Sequence, residues 1–135
     1  MIAKLGALLE RHRKKLRIAF WLYALALFIG THWPALEVHI PHIERPDLLV
    51  HFTLFGTWFA LLWASRQVGE PLAYPTIIRA LLISCVYAGI DEGLQAIPWV
   101  RRHCAWDDYA ANCIGISLAA LAAAILTALS RRRTP

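Results

Sequence analysis

Residues 76–98 read TIIRALLISCVYAGIDEGLQAIP, and this stretch decides the fold. A helix crosses a bilayer when it offers about 17–25 mostly apolar residues, which this run does. Its charges sit only near its ends, Arg79 at one and Asp91 and Glu92 at the other. Working outward, three more runs repeat the pattern, over Leu16–Trp33, Leu48–Ser65 and Asp108–Leu129. The reading is an all-α, polytopic membrane protein. Residues 1–135 form one domain, a four-helix transmembrane bundle, with spans near 16–33, 48–65, 76–98 and 108–129. Prolines fall between the spans, at Pro34, Pro41, Pro46, Pro71, Pro75 and Pro98, where the chain should leave helical geometry.

Composition agrees. The chain is 59% hydrophobic and 17% charged, whereas soluble domains carry about 25% charged residues. The net charge of +5 does not point to nucleic acid, because the basic residues flank apolar runs. Met1 to Lys15 sets Ile2, Leu5, Leu8 and Leu9 among Lys4, Arg11, Arg13, Lys14 and Lys15. That pattern suits a short amphipathic helix on the membrane surface. The first apolar run could also be a signal peptide. Its basic lead-in is long and no small-residue cleavage site is clear, so an uncleaved first span is expected. Of Cys85, Cys104 and Cys113, two lie in apolar segments, and the odd count argues against a disulfide framework.

Charge sets the orientation. The N-terminus, the 66–79 connection and the C-terminus hold eleven Lys and Arg, and the 34–46 and 99–107 connections hold three, Arg45, Arg101 and Arg102. The positive-inside rule then places both termini in the cytoplasm and the first and third connections outside.

Five of the nine acidic residues follow from this at one level: Asp47, Asp91, Glu92, Asp107 and Asp108. Asp47 and His51 are four apart, as are Asp91 and Gln95, and Asp108 and Asn112. Residues at that spacing share a helix face. Ser84, Tyr87, Asp91 and Gln95 form one stripe, and Asp108, Asn112, Gly115 and Ala119 another, whose small residues mark close helix packing. Ionisable groups inside a span are costly and point to function. Asp47 and Asp108 have a second explanation, since carboxylates cap helix starts. Asp107 suits a solvated position, and His51 alone suits a packed histidine. Convergence of three helices at one level is what packing alone explains poorly.

At these residues the chain resembles the VanZ-like family. The carrying segments are Asp47-x3-His51-Phe52-x2-Phe55-Gly56, Asp91-Glu92-x2-Gln95 and Arg102-x5-Asp108-x3-Asn112-x2-Gly115. They cover roughly half the chain. Leu48 stands where the family often has lysine, and the spacing to Asp108 favours Arg102 over Arg101 as the family's arginine. The family is named for teicoplanin resistance. The resemblance implies a bacterial cytoplasmic-membrane protein linked to the cell envelope, and supplies no established reaction.

Three functions fit the residues. One is recognition of a lipid-linked or glycopeptide-like envelope molecule by Asp47, His51, Asp91, Glu92, Gln95, Arg102, Asp108 and Asn112, with the arginine on phosphate or carboxylate. A second is acid–base or metal-dependent catalysis, with His51, Asp91, Glu92 and Asp108 as candidates. No HExxH, phosphate loop or serine elbow supports it, no metal is assigned, and His39 and His42 around Pro41 read as incidental. A third is structural, the polar set locking the helices for a partner. Membrane lipids are the expected surroundings. Cofactor and oligomeric state stay open. A transporter fits less well, since charged groups midway along the spans are almost absent.

Overall fold

The computed structural model describes residues 2–34, 41, 44–98 and 104–131. They form five helices and, among the described residues, no strand. A short helix α1, Ile2–Arg11, leads through His12 into α2, Arg13–His32. Then follow α3, Pro46–Ala64, α4, Tyr74–Gln95, and α5, Trp106–Arg131. Prolines at the first turn of α3 and α4 suit positions where the missing N–H costs nothing.

α3 is the centre. Phe55, Trp58, Phe59, Leu62 and Trp63 are all buried along it. Its most extensive contact is with α5. Two glycines make that approach possible. A Cβ on Gly115 would overlap the Phe52 carbonyl, and one on Gly56 would come within 3.1 Å of the Gly115 carbonyl oxygen. This is the small-residue contact that helices use when burial of oil from water is not the driving force. α2 and α4 flank α3, with Phe20 edge-on to Trp58 at 5.2 Å and Trp58 stacked on Tyr87 at 4.8 Å.

The outer faces are apolar. α2 exposes Ile18, Trp21, Leu22, Leu25 and Ile29, α4 exposes Ile78, Leu82, Val86 and Ile90, and α5 exposes Ile114, Leu118, Leu121 and Ile125. By length and composition two helices, Pro46–Ala64 and Trp106–Arg131, suffice to cross a membrane. The other two long helices carry charges near their ends, Arg13, Lys14, Lys15 and Arg17 on α2, and Arg79, Asp91 and Glu92 on α4.

α1 holds to the bundle. Leu9 is buried, Leu5 packs on the core, and Gly6 lies against Leu72. Leu5 and Leu9 thus meet this chain's own helices, while Leu8 stays exposed.

The bundle has two unlike ends. At the basic end lie the start of α2, the end of α3, the start of α4 and the end of α5. Arg17 donates to the Ser65 and Arg66 carbonyls at 3.3 and 3.2 Å, placing a cation on the C-terminus of α3. Arg66 pairs with Glu10 and Glu70, and the Trp63 indole donates to the Pro71 carbonyl. Arg131 sits 4.8 Å over the Tyr74 ring.

Candidate functional site

The acidic end gathers the polar residues. His51, Asp91, Glu92, Gln95 and Asn112 are each at most 4% exposed. The Asp108 side chain is 13% exposed. Helical spacing explains the arrangement, since Asp91 and Gln95 stack on α4 and Asp108 and Asn112 stack on α5.

Asp91 is held from two helices. The Thr31 hydroxyl donates to its Oδ1 at 2.9 Å, and the Gln95 amide donates to its Oδ2 at 3.3 Å. His32 Nδ1 lies 3.7 Å from Oδ1 and 2.9 Å from the Phe28 carbonyl. The assignment that suits every neighbour has Nδ1–H donating to Phe28, which leaves the Thr31 proton for Asp91 and the His32 Nε2 lone pair without a partner.

A second group joins α3 to α5. His51 Nδ1 lies 3.1 Å from Asn112 Oδ1, so the proton on that nitrogen donates to the amide oxygen. His51 Nε2 faces Asp108 Oδ2 at 3.8 Å. A bare lone pair facing a carboxylate is unfavourable, so the two groups are complementary only when one of them holds a proton. Glu92 reaches the start of α5, accepting from the Ala105 N–H at 3.0 Å through Oε1.

Several polar atoms are left over. Among the described residues His32 Nε2, Glu92 Oε2, Asp108 Oδ1 and Asn112 Nδ2 are buried at this end without a hydrogen-bond partner. Trp58 Nε1, further along α3, is in the same state. An unmade hydrogen bond on a buried group costs about 1–3 kcal/mol, so such groups are few in folded proteins and call for explanation.

Three expectations need correction. Asp47 does not join the buried set: its side chain is 40% exposed and bonds Arg45 at 2.9 Å. Nor does it cap α3, whose N-cap is Arg45 with no side-chain capping bond. Asp107 is exposed, as expected of a solvated residue, and pairs there with Arg45 at 2.7 Å. These two carboxylates keep the Arg45 guanidinium above its ordinary pKa, charged at any working pH. The pocket is also not made by three helices. α2 contributes Thr31 and His32, which close its fourth side. The polar pair at the end of the first apolar run was the available signal.

Arg101 and Arg102 lie outside the described residues, as do His39 and His42. Among the described residues no cluster of three or more His, Cys, Asp or Glu has the arrangement of a metal site.

Fold and site define a class: an all-helical bundle with apolar outer faces and a buried polar cluster at one end. No protein-family model, curated protein or solved structure matches the chain.

Proposed function

We propose that the chain is a VanZ-like, multi-pass protein of the bacterial cytoplasmic membrane. Both termini face the cytoplasm, and the acidic end faces outward, where it recognises or processes a cell-envelope molecule. Exposed apolar stripes on α2, α4 and α5 support the membrane reading, because a soluble bundle turns such stripes inward. α2 and α4 then span despite their charged ends. Their 20 and 22 residues suit a hydrocarbon layer of about 30 Å. The segments that carry the resemblance supply His51, Asp91, Glu92, Gln95, Asp108 and Asn112.

One observation carries the recognition reading. Three helices bring His32 Nε2, Glu92 Oε2, Asp108 Oδ1 and Asn112 Nδ2 to one end and leave them without a hydrogen bond, Asp108 Oδ1 having only the Arg45 guanidinium at 3.9 Å. A ligand with polar groups would satisfy them. Processing rather than binding would fall to the His51–Asp108 pair, whose Nε2 and Oδ2 at 3.8 Å would exchange a proton once drawn together or bridged by a water.

The helix-locking alternative has its own support, because Asp91 is fully engaged by Thr31 and Gln95. Asn112→Asp and His51→Gln separate the two. Membrane abundance and sensitivity to envelope-directed antibiotics are read side by side. Unchanged abundance with altered sensitivity is expected. Abundance that falls in step with any phenotype would sink recognition in favour of locking.

A further inference from the structure

A cleft of about 300 Å³ opens between the acidic ends of α4 and α5, beside the cluster just described. Its walls are Gly89, Gly93, Cys104, Trp106 and Tyr109, and its one acidic residue is Glu92. No Lys or Arg lines it among the described residues. Glu92 is 3% exposed and spends only Oε1, on the Ala105 N–H, while Oε2 has no donor. The same cleft holds aromatic rings. Trp106 is 87% exposed, and its ring meets Tyr109 edge-on at 6.4 Å. Tyr109 lies against Gly89, where a Cβ would come within 3.6 Å of the ring. A Cβ on Gly93 would meet nothing within 4 Å, so the space is open there.

Glu92 Oε2 is an acceptor without a donor; Asp108 Oδ1, outside the cleft's lining, also lacks a hydrogen bond but lies 3.9 Å from Arg45 Nη2. Acceptors without donors call for a ligand rich in N–H. Aromatic faces beside a carboxylate favour a cation.

We propose that this cleft binds an ammonium group, with Glu92 as its counter-charge and Trp106 and Tyr109 as its walls. The inference deepens the recognition reading and rests on it. Membrane phospholipids with an amino head group and soluble primary amines share this chemistry. An anionic group lacks it, because nothing described in the cleft would offset its charge against Glu92.

The full chain, purified in detergent, is offered equal amounts of phosphatidylethanolamine and phosphatidylglycerol, and the retained lipid is read by native mass spectrometry. The ethanolamine lipid should be favoured by about tenfold, the scale of one charge-assisted hydrogen bond. Glu92→Gln keeps the acceptor for Ala105 and should bring the ratio to near one. Gly93→Leu fills the open space without touching the carboxylate and should reduce retention of the ethanolamine lipid. Displacement by free ethanolamine identifies soluble amines as sufficient ligands, and its failure assigns the site to the lipid. Both results support the ammonium subsite. Equal retention in the parent chain, or a preference that survives both Glu92→Gln and Gly93→Leu, overturns it. A preference for phosphatidylglycerol overturns the ammonium assignment and leaves recognition standing. Retention of neither lipid, with no effect of ethanolamine, overturns the ammonium subsite and leaves recognition to the Asn112→Asp and His51→Gln comparison.

Discussion

The two ends of the bundle handle buried polarity in opposite ways. At the basic end the polar groups find one another: Arg17 lies on the carbonyls that end α3, Arg66 pairs with Glu10 and Glu70, and Trp63 bonds Pro71. At the acidic end buried groups are more numerous, yet His32, Glu92, Asp108 and Asn112 each keep an atom without a hydrogen bond. The basic end is built as a fastening. The acidic end carries a cost that fastening does not require, and such cost collects at functional sites.

This contrast can be broken by experiment. The largest effect should come from the crossing both ends share. Gly115→Ala drives a methyl into the Phe52 backbone and should cost about 3 kcal/mol, read as a sharp fall in thermal unfolding temperature in detergent. Gly93→Ala, facing open space, should lower it not at all.

Next comes Asp91→Ala, which removes the carboxylate that joins Thr31 to Gln95 and leaves the buried Gln95 amide without that acceptor, while Thr31 can turn back to the Leu27 carbonyl; it should cost about 2 kcal/mol. Asp91→Asn, keeping one acceptor for Thr31, should cost less than half of that. Equal losses from the two would show that Asp91 acts through charge and not through these bonds.

A smaller pair sharpens the contrast itself. Arg17→Ala removes a cation from a helix C-terminus and should cost about 1 kcal/mol. Glu92→Gln neutralises a buried charge while keeping the Ala105 bond, and should not lower the unfolding temperature. If Glu92→Gln destabilises as much as Arg17→Ala, the ends are alike and the acidic end is also a fastening. Smallest of all is Asp47→Asn at the exposed rim, expected to leave the unfolding temperature unchanged, because exposed ion pairs contribute little.

Much of this was legible in the chain. The apolar runs place all four long helices to within a few residues, because backbone satisfaction in an apolar setting leaves little choice but helix. Four-residue spacing correctly groups Asp91 with Gln95 and Asp108 with Asn112. Spacing speaks only within one helix, so it could not reveal that Thr31 reaches Asp91 across sixty positions of chain. It also could not separate Asp47, drawn aside by Arg45, from His51 one turn further on. Those outcomes depend on how helices rotate against one another. The glycine contact of α3 with α5 sets that rotation, and its partner, the Phe52 carbonyl, is a backbone atom with no signature in the sequence.

On the proposed topology the acidic end is one surface, outward-facing and opposite the basic end. Cys104 is exposed at the acidic end, while Cys85 and Cys113 are partly buried. A chain with Cys85→Ala and Cys113→Ala keeps Cys104 as its one thiol. Its counterpart adds Cys104→Ala and Glu70→Cys, moving the thiol to an exposed position at the basic end. Both are expressed in bacteria and treated with a membrane-impermeant maleimide. Cys104 should label in intact cells, and the thiol at position 70 only after the membrane is opened. Labelling of both thiols in intact cells, or of position 70 alone, would contradict the account.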